Sequence, residues 1–182
     1  MKLHCLLPLS LISALMCSCS SIDAPKGDSK GYQSARFVQT SAATEPQGPE
    51  DSPVVNRMVQ DAIAAEFTKR GILFGEPASD LIVAYMLLRQ ETSSTTMNTD
   101  HFGHGRDAEA ILEKAHEKGV IDNKSPEDFK TGAVLIDVLD ARSNELVYRS
   151  FAKRAMIEGI SGAQREERIK GAVAEALAPF FK

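Results

Sequence analysis

The alternation of apolar and polar residues divides the chain into a few helices and strands. Apolar residues recur every three or four positions after Ser52-Pro53, which predicts an amphipathic helix that Gly71 ends in a left-handed conformation. Residues 80–89 are apolar on both alternating faces, as in a strand that is covered on both sides. The polar run at 90–99 could continue this strand at an exposed edge.

The second half of the chain repeats these two patterns. Residues 107–118 predict a short amphipathic helix. Residues 132–139 and 145–156 predict a hairpin, because the turn that starts at Asp140 is rich in side chains that bond nearby backbone. A capping box at 161–164 predicts the start of a terminal helix.

These elements predict one α/β (α+β) domain over residues 32–182, in the order β-α-β-(α)-β-β-α. A short strand near residues 35–39 opens the domain. We expect a small mixed or antiparallel sheet with helices packed mainly on one face. The core of that arrangement should bury four residues together: Val83, Ile136, Val173 and Leu177.

The N-terminus has a different pattern. Lys2 precedes an apolar run at 3–16 that is too short to span a bilayer and has the length of a signal-peptide core. Cysteine stands where a secreted protein would have a small-residue cleavage site, and this resembles a bacterial lipoprotein signal. We expect residues 1–18 to be the signal and Cys19 to carry the lipid, with Cys17 as the alternative.

Residues 19–31 then predict a lipidated cysteine and a flexible polar tether. About a dozen residues cannot exceed roughly 40 Å even when fully extended. The domain should therefore work close to the membrane that holds its lipid.

Composition excludes several classes of function. The chain has 182 residues and a net charge of −4, and removal of 1–18 takes away Lys2 and leaves −5. This acidic balance argues against nucleic-acid binding, which requires a basic surface. The three cysteines are Cys5, Cys17 and Cys19, so the expected mature domain has neither an internal disulfide nor a thiolate metal site. No cofactor is predicted.

Three histidines are the strongest metal candidate. His101 and His104, with His116 from the next helix, could bind zinc and support a metal-dependent hydrolase, with Asp107 or Glu109 as the water-activating base. A polar surface loop explains the same residues better, because their spacing matches no established metal motif. We therefore predict no metal site and keep the hydrolase as the alternative.

Other polar residues have structural explanations. Asp137 and Asp140 could form a carboxylate pair, but a separation of three residues directs them to different faces. We expect Asp140 to bond its own turn and Asp137 to pair with Arg149. Ser161 lies in no nucleophile motif and is explained by capping. No catalytic residue is predicted.

One basic stretch could face anionic lipid or glycan. A charge-mixed, solvated surface is the better interpretation, because Glu158, Glu166 and Glu167 lie among the basic residues. These basic residues are Arg149, Lys153, Arg154, Arg165, Arg168 and Lys170.

Several blocks together resemble the bacterial lipoprotein family catalogued as domain of unknown function 4136. They are Gly-Tyr-Gln-Ser-Ala-Arg-Phe at 31–37, Ala-Ser-Asp-Leu-Ile-Val-Ala-Tyr at 78–85, the hairpin at 132–149 and the helix at 165–180. The segment between Thr92 and Thr131 departs from the family pattern. The resemblance implies a periplasm-facing lipoprotein domain and no known reaction.

The sequence thus predicts a lipid-anchored cell-envelope protein with a binding, structural or accessory role and no enzymatic activity. Serines after the cysteine favour the outer membrane, by resemblance to bacterial lipoproteins. We expect an envelope protein close to the membrane as the partner. Ile111 and Leu112 are our candidate for the contact surface, and the oligomeric state stays open.

Overall fold

The structure is a computed structural model that describes residues 26–39, 53–91, 94–98, 102, 108–117 and 131–182. Over these residues it shows a single α/β domain with three helices and a six-stranded mixed sheet, which confirms the predicted fold class. The strands are β1 (Ser34–Phe37), β2 (Leu73–Phe74), β3 (Leu81–Glu91), β4 (Ser94–Asn98), β5 (Thr131–Asp140) and β6 (Leu146–Ala155). The helices are α1 (Pro53–Lys69), α2 (Ala108–Glu117) and α3 (Gly162–Leu177).

Long antiparallel pairings hold the centre of the sheet together. The strand order is β2-β1-β3-β5-β6, and Tyr85 of β3 lies opposite Ile136 of β5. β1 runs parallel to both β2 and the first residues of β3. β4 is antiparallel to the last residues of β3 and occupies the same side of that strand as β1. The sequence did not predict β2 or β4 as separate strands.

The sheet is covered on both faces, as the apolar run of β3 predicted. Val83, Tyr85 and Leu87 point to one face, which packs against α1 and α3. The alternating residues Ala84 and Met86 point to the other face, where they meet α2. Two of the three described helices share one face, in agreement with the expected arrangement.

The four core residues predicted from the sequence lie in the same cluster. Val83, Ile136, Val173 and Leu177 all have 0% of their surface exposed, between the sheet and the face formed by α1 and α3. Burial at that level contributes about 1.5–3 kcal/mol for each such side chain. This cluster is therefore the main source of stability on that side of the domain.

The start of α3 and the end of α1 agree with the sequence, whereas the predicted cap Ser52 lies outside the described residues. At α3, Ser161 Oγ accepts from the Gln164 amide at 3.2 Å, and the Ser161 amide donates to Gln164 Oε1 at 2.9 Å. Gly71, after α1, has a φ of +80°, a conformation that favours glycine. Within the described part of the chain, no helix is long and apolar enough to cross a membrane.

The segment from Lys26 to Gly31 differs from the expected free tether. The Gly27 amide donates to the Val147 carbonyl at 3.0 Å, and the Ser29 amide donates to the Phe180 carbonyl at 2.9 Å. A Cβ on Gly27 would lie 2.6 Å from the Val147 oxygen, so glycine permits this close approach. Residues 26–31 thus lie against the edge of β6 and the end of α3, which shortens any free tether.

The proposed contact surface on α2 is also corrected. Ile111 is 3% exposed, and Leu112 is half-buried against the same cluster of sheet residues. This apolar face packs on the sheet because it covers Met86 and its neighbours on β3 and β5. It is therefore not available for a partner.

Candidate functional site

An apolar cleft of about 210 Å³ opens at one end of the sheet, on the face covered by α1 and α3. Its walls are the first turns of α1, the end of β3, the start of β5, the end of β6 and the first half of α3. The apolar lining comprises Val55, Val59, Leu87, Leu88, Gly132, Ala133, Val134, Ala152, Ala155, Met156, Ile157, Ile160, Ile169 and Ala172.

The distribution of large and small side chains explains where the cleft lies. Towards the other end of the same face, aromatic rings fill the space, with Phe67 5.9 Å from Phe180 and Tyr148 5.2 Å from Phe180 between ring centres. At the cleft end, facing positions on β6 and α3 carry Ala152 and Ala172. Small side chains at facing positions leave volume that no neighbour fills.

The mouth of the cleft is formed by the connection between β6 and α3. Ile157 lies in this connection and is 50% exposed, although it belongs to the apolar lining. An isolated exposed apolar residue is common, but one that continues an apolar cleft extends the surface available to a ligand.

Three arginines complete the lining. Arg168 Nη2 donates to the Ala155 carbonyl at 2.6 Å, and Arg154 Nη2 forms an ion pair with Glu175. The structure gives the guanidinium of Arg165 no hydrogen bond or ion pair with another described residue. Since none of the described lining residues is acidic, the cleft favours an anionic group at its rim.

The basic stretch identified in the sequence is divided by the fold. Arg154, Arg165 and Arg168 converge on the cleft, whereas Lys170 pairs with Glu166 at 2.6 Å on the surface of α3. Arg149 faces the other side of the sheet. The sequence interpretation as a solvated surface is therefore incomplete, because it missed the cleft that three of these residues border.

Asp137 and Arg149 form a buried ion pair, as the sequence predicted. Nε and Nη2 of Arg149 donate to the two carboxylate oxygens of Asp137, both at 2.6 Å. Asp137 is fully buried and Arg149 is 6% exposed, on the face covered by α2. Asp137 pairs with Arg149, whereas Asp140 bonds its own turn, so the two aspartates have different structural roles.

Asp140 bonds its own turn, also as predicted. Its Oδ1 accepts from the amides of Arg142 at 2.8 Å and Ser143 at 3.0 Å. These bonds, Ser143 first, lower the pKa of the Asp140 carboxyl. The Tyr32 hydroxyl donates to Asp140 Oδ2 at 3.3 Å, and burial followed by the Asp140 charge raises the pKa of Tyr32.

A third carboxylate, Asp80, connects this turn to β1. Its Oδ2 accepts from the Gln33 amide at 3.0 Å and from the Ser34 hydroxyl at 3.1 Å. The Gln33 bond and then the Ser34 bond lower the pKa of Asp80. The contacts of Asp80 and Asp140 close the turn between β5 and β6 and fix the chain before β1, so this cluster has a structural role.

The candidate metal site falls largely outside the described residues. His101, His104 and Asp107 are not among them, and only His116 is placed, on α2. The described residues contain no group of three metal-ligating side chains. Ser161 is occupied by its capping bonds, which agrees with the structural interpretation of that residue.

Comparison with known proteins identifies the family. The family model described as Domain of unknown function (DUF4136) matches residues 23–180. The chain therefore belongs to this family, which confirms the resemblance seen in the sequence. No curated protein matches the sequence.

Three solved structures show distant likenesses to the chain. A PelC dodecamer from Paraburkholderia phytofirmans is 10% identical, with 87% of this chain and 91% of that chain covered and a TM-score of 0.44. A Xanthomonas campestris protein of family DUF330 is 11% identical, with 88% and 84% covered and a TM-score of 0.35. A PDZ domain protein from Parabacteroides distasonis is 11% identical, with 83% and 32% covered and a TM-score of 0.44.

Proposed function

We propose that this member of the DUF4136 family is a lipid-anchored cell-envelope protein that binds an apolar ligand in its cleft and catalyses no reaction. The cleft is the observation that carries the binding role. A concave apolar site with a few polar groups at its rim is the usual form of a ligand site. The outer membrane is the favoured location, with the domain facing the periplasm.

The anchor is supported by the N-terminal sequence. The apolar run at 3–16 is followed by Cys17-Ser18-Cys19, and small Ser18 precedes the preferred cysteine. Stable attachment requires more than one acyl chain, which a lipoprotein cysteine provides. An envelope protein close to that membrane is the proposed partner of the anchored domain.

Metabolic labelling with an alkyne fatty acid tests the anchor. Labelling should disappear in Cys19→Ala and persist in Cys17→Ala, because only the cysteine that follows Ser18 is acylated. The reverse pattern would assign the lipid to Cys17. Absence of labelling in the wild-type protein would contradict the lipid anchor.

A photo-reactive residue tests the cleft as the binding site. We would replace Ile157, at the mouth, with p-benzoylphenylalanine in intact cells and search for adducts by mass spectrometry. Leu73 is the matched control, because it is 65% exposed and lies on β2, away from the cleft lining. Adducts at Ile157 and none at Leu73 are expected. Equal adducts at both positions, or none at either, would contradict the site.

A further inference from the structure

We propose that the cleft binds a single-chain amphiphile with a carboxylate head, that is, a long-chain fatty acid. The acyl chain lies in the apolar interior and the carboxylate meets the arginines at the rim. This inference rests on the proposed function, since it identifies the chemical class of the ligand for the same cleft.

The lining restricts the buried part of the ligand to aliphatic groups. Apart from the arginines, every described lining residue is Val, Leu, Ile, Met, Ala or Gly. Burial of a polar group without a hydrogen-bond partner costs about 1–3 kcal/mol. An acyl chain has no polar groups along its length and meets no such penalty.

The rim restricts the head group to a hydrogen-bond acceptor. Arg154, Arg165 and Arg168 contribute the only polar side chains among the described lining residues, and a guanidinium can only donate. The planar fork of arginine fits a carboxylate with two parallel bonds. Arg165 is the first contact, because the other two already have bonds to Glu175 and to the Ala155 carbonyl.

The volume indicates one chain. An apolar cavity of about 150 Å³ is large enough for benzene, and this cleft measures about 210 Å³. The open cleft therefore takes a segment of one acyl chain, and the remainder continues past half-exposed Ile157. A lipid with two chains would leave the second outside the apolar lining.

A peptide ligand fits these observations less well. Each of its residues brings a backbone amide donor that needs an acceptor when buried. The side chains of the described lining offer no acceptor, since their only polar atoms belong to arginine. The fatty acid is therefore the occupant that the chemistry favours, and a peptide is an outcome that the experiment below can reveal.

The test uses the purified full chain in phosphatidylcholine nanodiscs with a diazirine-bearing hexadecanoate. Illumination should attach this probe to residues of the cleft, mapped by mass spectrometry, and unlabelled hexadecanoate should compete. The methyl ester of the probe lacks the anionic head and should label at least about fivefold more weakly, since a charge-assisted bond is lost. Lysophosphatidylglycerol as competitor distinguishes a phosphate head from a carboxylate head.

Three variants locate the binding. Arg165→Gln should weaken labelling by the acid about fivefold and leave labelling by the ester unchanged. Arg57→Gln removes the same charge from an exposed residue outside the lining and should change neither. Ala155→Leu adds volume to the lining at a half-buried position and should reduce both, with circular dichroism to show that the variant is folded.

Several outcomes would overturn the inference. Two concern the probe: adducts outside the cleft, and equal labelling by the acid and its ester. The other two are an equal loss of labelling in Arg165→Gln and Arg57→Gln, and stronger competition by lysophosphatidylglycerol than by hexadecanoate. Capture of a peptide at Ile157 in cells, together with no labelling by the probe, would reject the fatty acid and retain the proposed binding role. Failure of the anchor test would leave the labelling result unaffected.

Discussion

Asp137 and Arg149 show how one residue pair ties two strands together. They lie opposite each other on β5 and β6, and their two bonds of 2.6 Å are shielded from water. Removal of one partner leaves the other charge buried without its counterion. We expect Asp137→Ala to reduce the free energy of unfolding by about 3–5 kcal/mol, measured by urea denaturation.

The controls separate the buried charge from the loss of a side chain. Glu166→Ala breaks a half-exposed ion pair with Lys170 and should change stability far less. The double variant Asp137→Leu, Arg149→Met removes both charges and should recover most of the loss. If the double variant is as unstable as Asp137→Ala, the pair acts through something other than charge.

Asp80 and Asp140 make the stability of the domain depend on pH. Their pKa values are lowered in the folded state, because backbone amides donate to both carboxylates. Groups of this kind stabilise the fold above the unfolded pKa of about 4, and that contribution is lost as the pH falls through the lower folded pKa. The urea midpoint should therefore decrease as the pH is lowered from about 5 to about 2.

Asp80→Asn tests this origin of the acid sensitivity. The variant should be less stable than wild type at pH 7, and the difference should shrink at low pH, where the wild-type carboxylate is protonated. Asp61→Asn, on the exposed surface of α1, is the matched control and should follow wild type. A difference between Asp80→Asn and wild type that is independent of pH would contradict the assignment.

At the scale of elements, α3 offers a paired test of the core. Leu177 is fully buried against the sheet, so Leu177→Ala should reduce the free energy of unfolding by about 2–5 kcal/mol. Gly171 lies on the exposed side of the same helix, and a Cβ there would meet nothing within 4 Å. Gly171→Ala should therefore raise stability by about 0.5–1 kcal/mol. Equal effects at both positions would mean that α3 is not packed as described.

The elements that the sequence predicted share a strong local pattern. The helical periodicity of α1, the capping box of α3 and the hairpin of β5 and β6 each depend on residues close together in the chain. β2 was missed because Leu73 and Phe74 are too few to show a period, and their pairing with β1 is parallel and distant in sequence. The register and the neighbours of such a short strand are set by the assembled sheet and not by its own residues.

The cleft and the attached N-terminal segment were missed for a related reason. Arg154 and Arg165 come from different elements, and only the fold brings them to one rim beside Ala172. Gly27 is held by the bond from its backbone amide to the Val147 carbonyl. The small and polar residues around it have the same composition as a flexible linker. Polar segments that dock through the main chain leave little trace in composition.

At the scale of the whole molecule, the attached segment changes the expected reach of an anchored domain. Residues 26–31 lie along the domain, so the chain between Cys19 and Lys26 is the only part left to separate the lipid from it. Seven residue steps cannot exceed about 25 Å, compared with roughly 40 Å for the tether expected from the sequence. The proposed anchor therefore places the domain closer to its membrane than the sequence predicted.

Gly27 controls this distance, which gives a final prediction. In Gly27→Ala the new Cβ would meet both the Val147 oxygen and its side chain, and the segment should separate from β6. Release of residues 26–28, up to the retained backbone bond of Ser29, adds three residues and up to about 10 Å of reach. Energy transfer from a fluorophore on Glu76→Cys, an exposed position, to acceptor lipids in a nanodisc should fall in this variant.

Ser29→Ala is the matched control for the reach of the anchored protein. It changes the side chain of the same segment and keeps the backbone bond from Ser29 to Phe180, so energy transfer should equal that of wild type. Equal energy transfer in Gly27→Ala and wild type would show that the segment does not limit the distance between the domain and the bilayer. A larger transfer in Gly27→Ala would mean that release lets the domain approach the bilayer, and the argument from reach would be wrong.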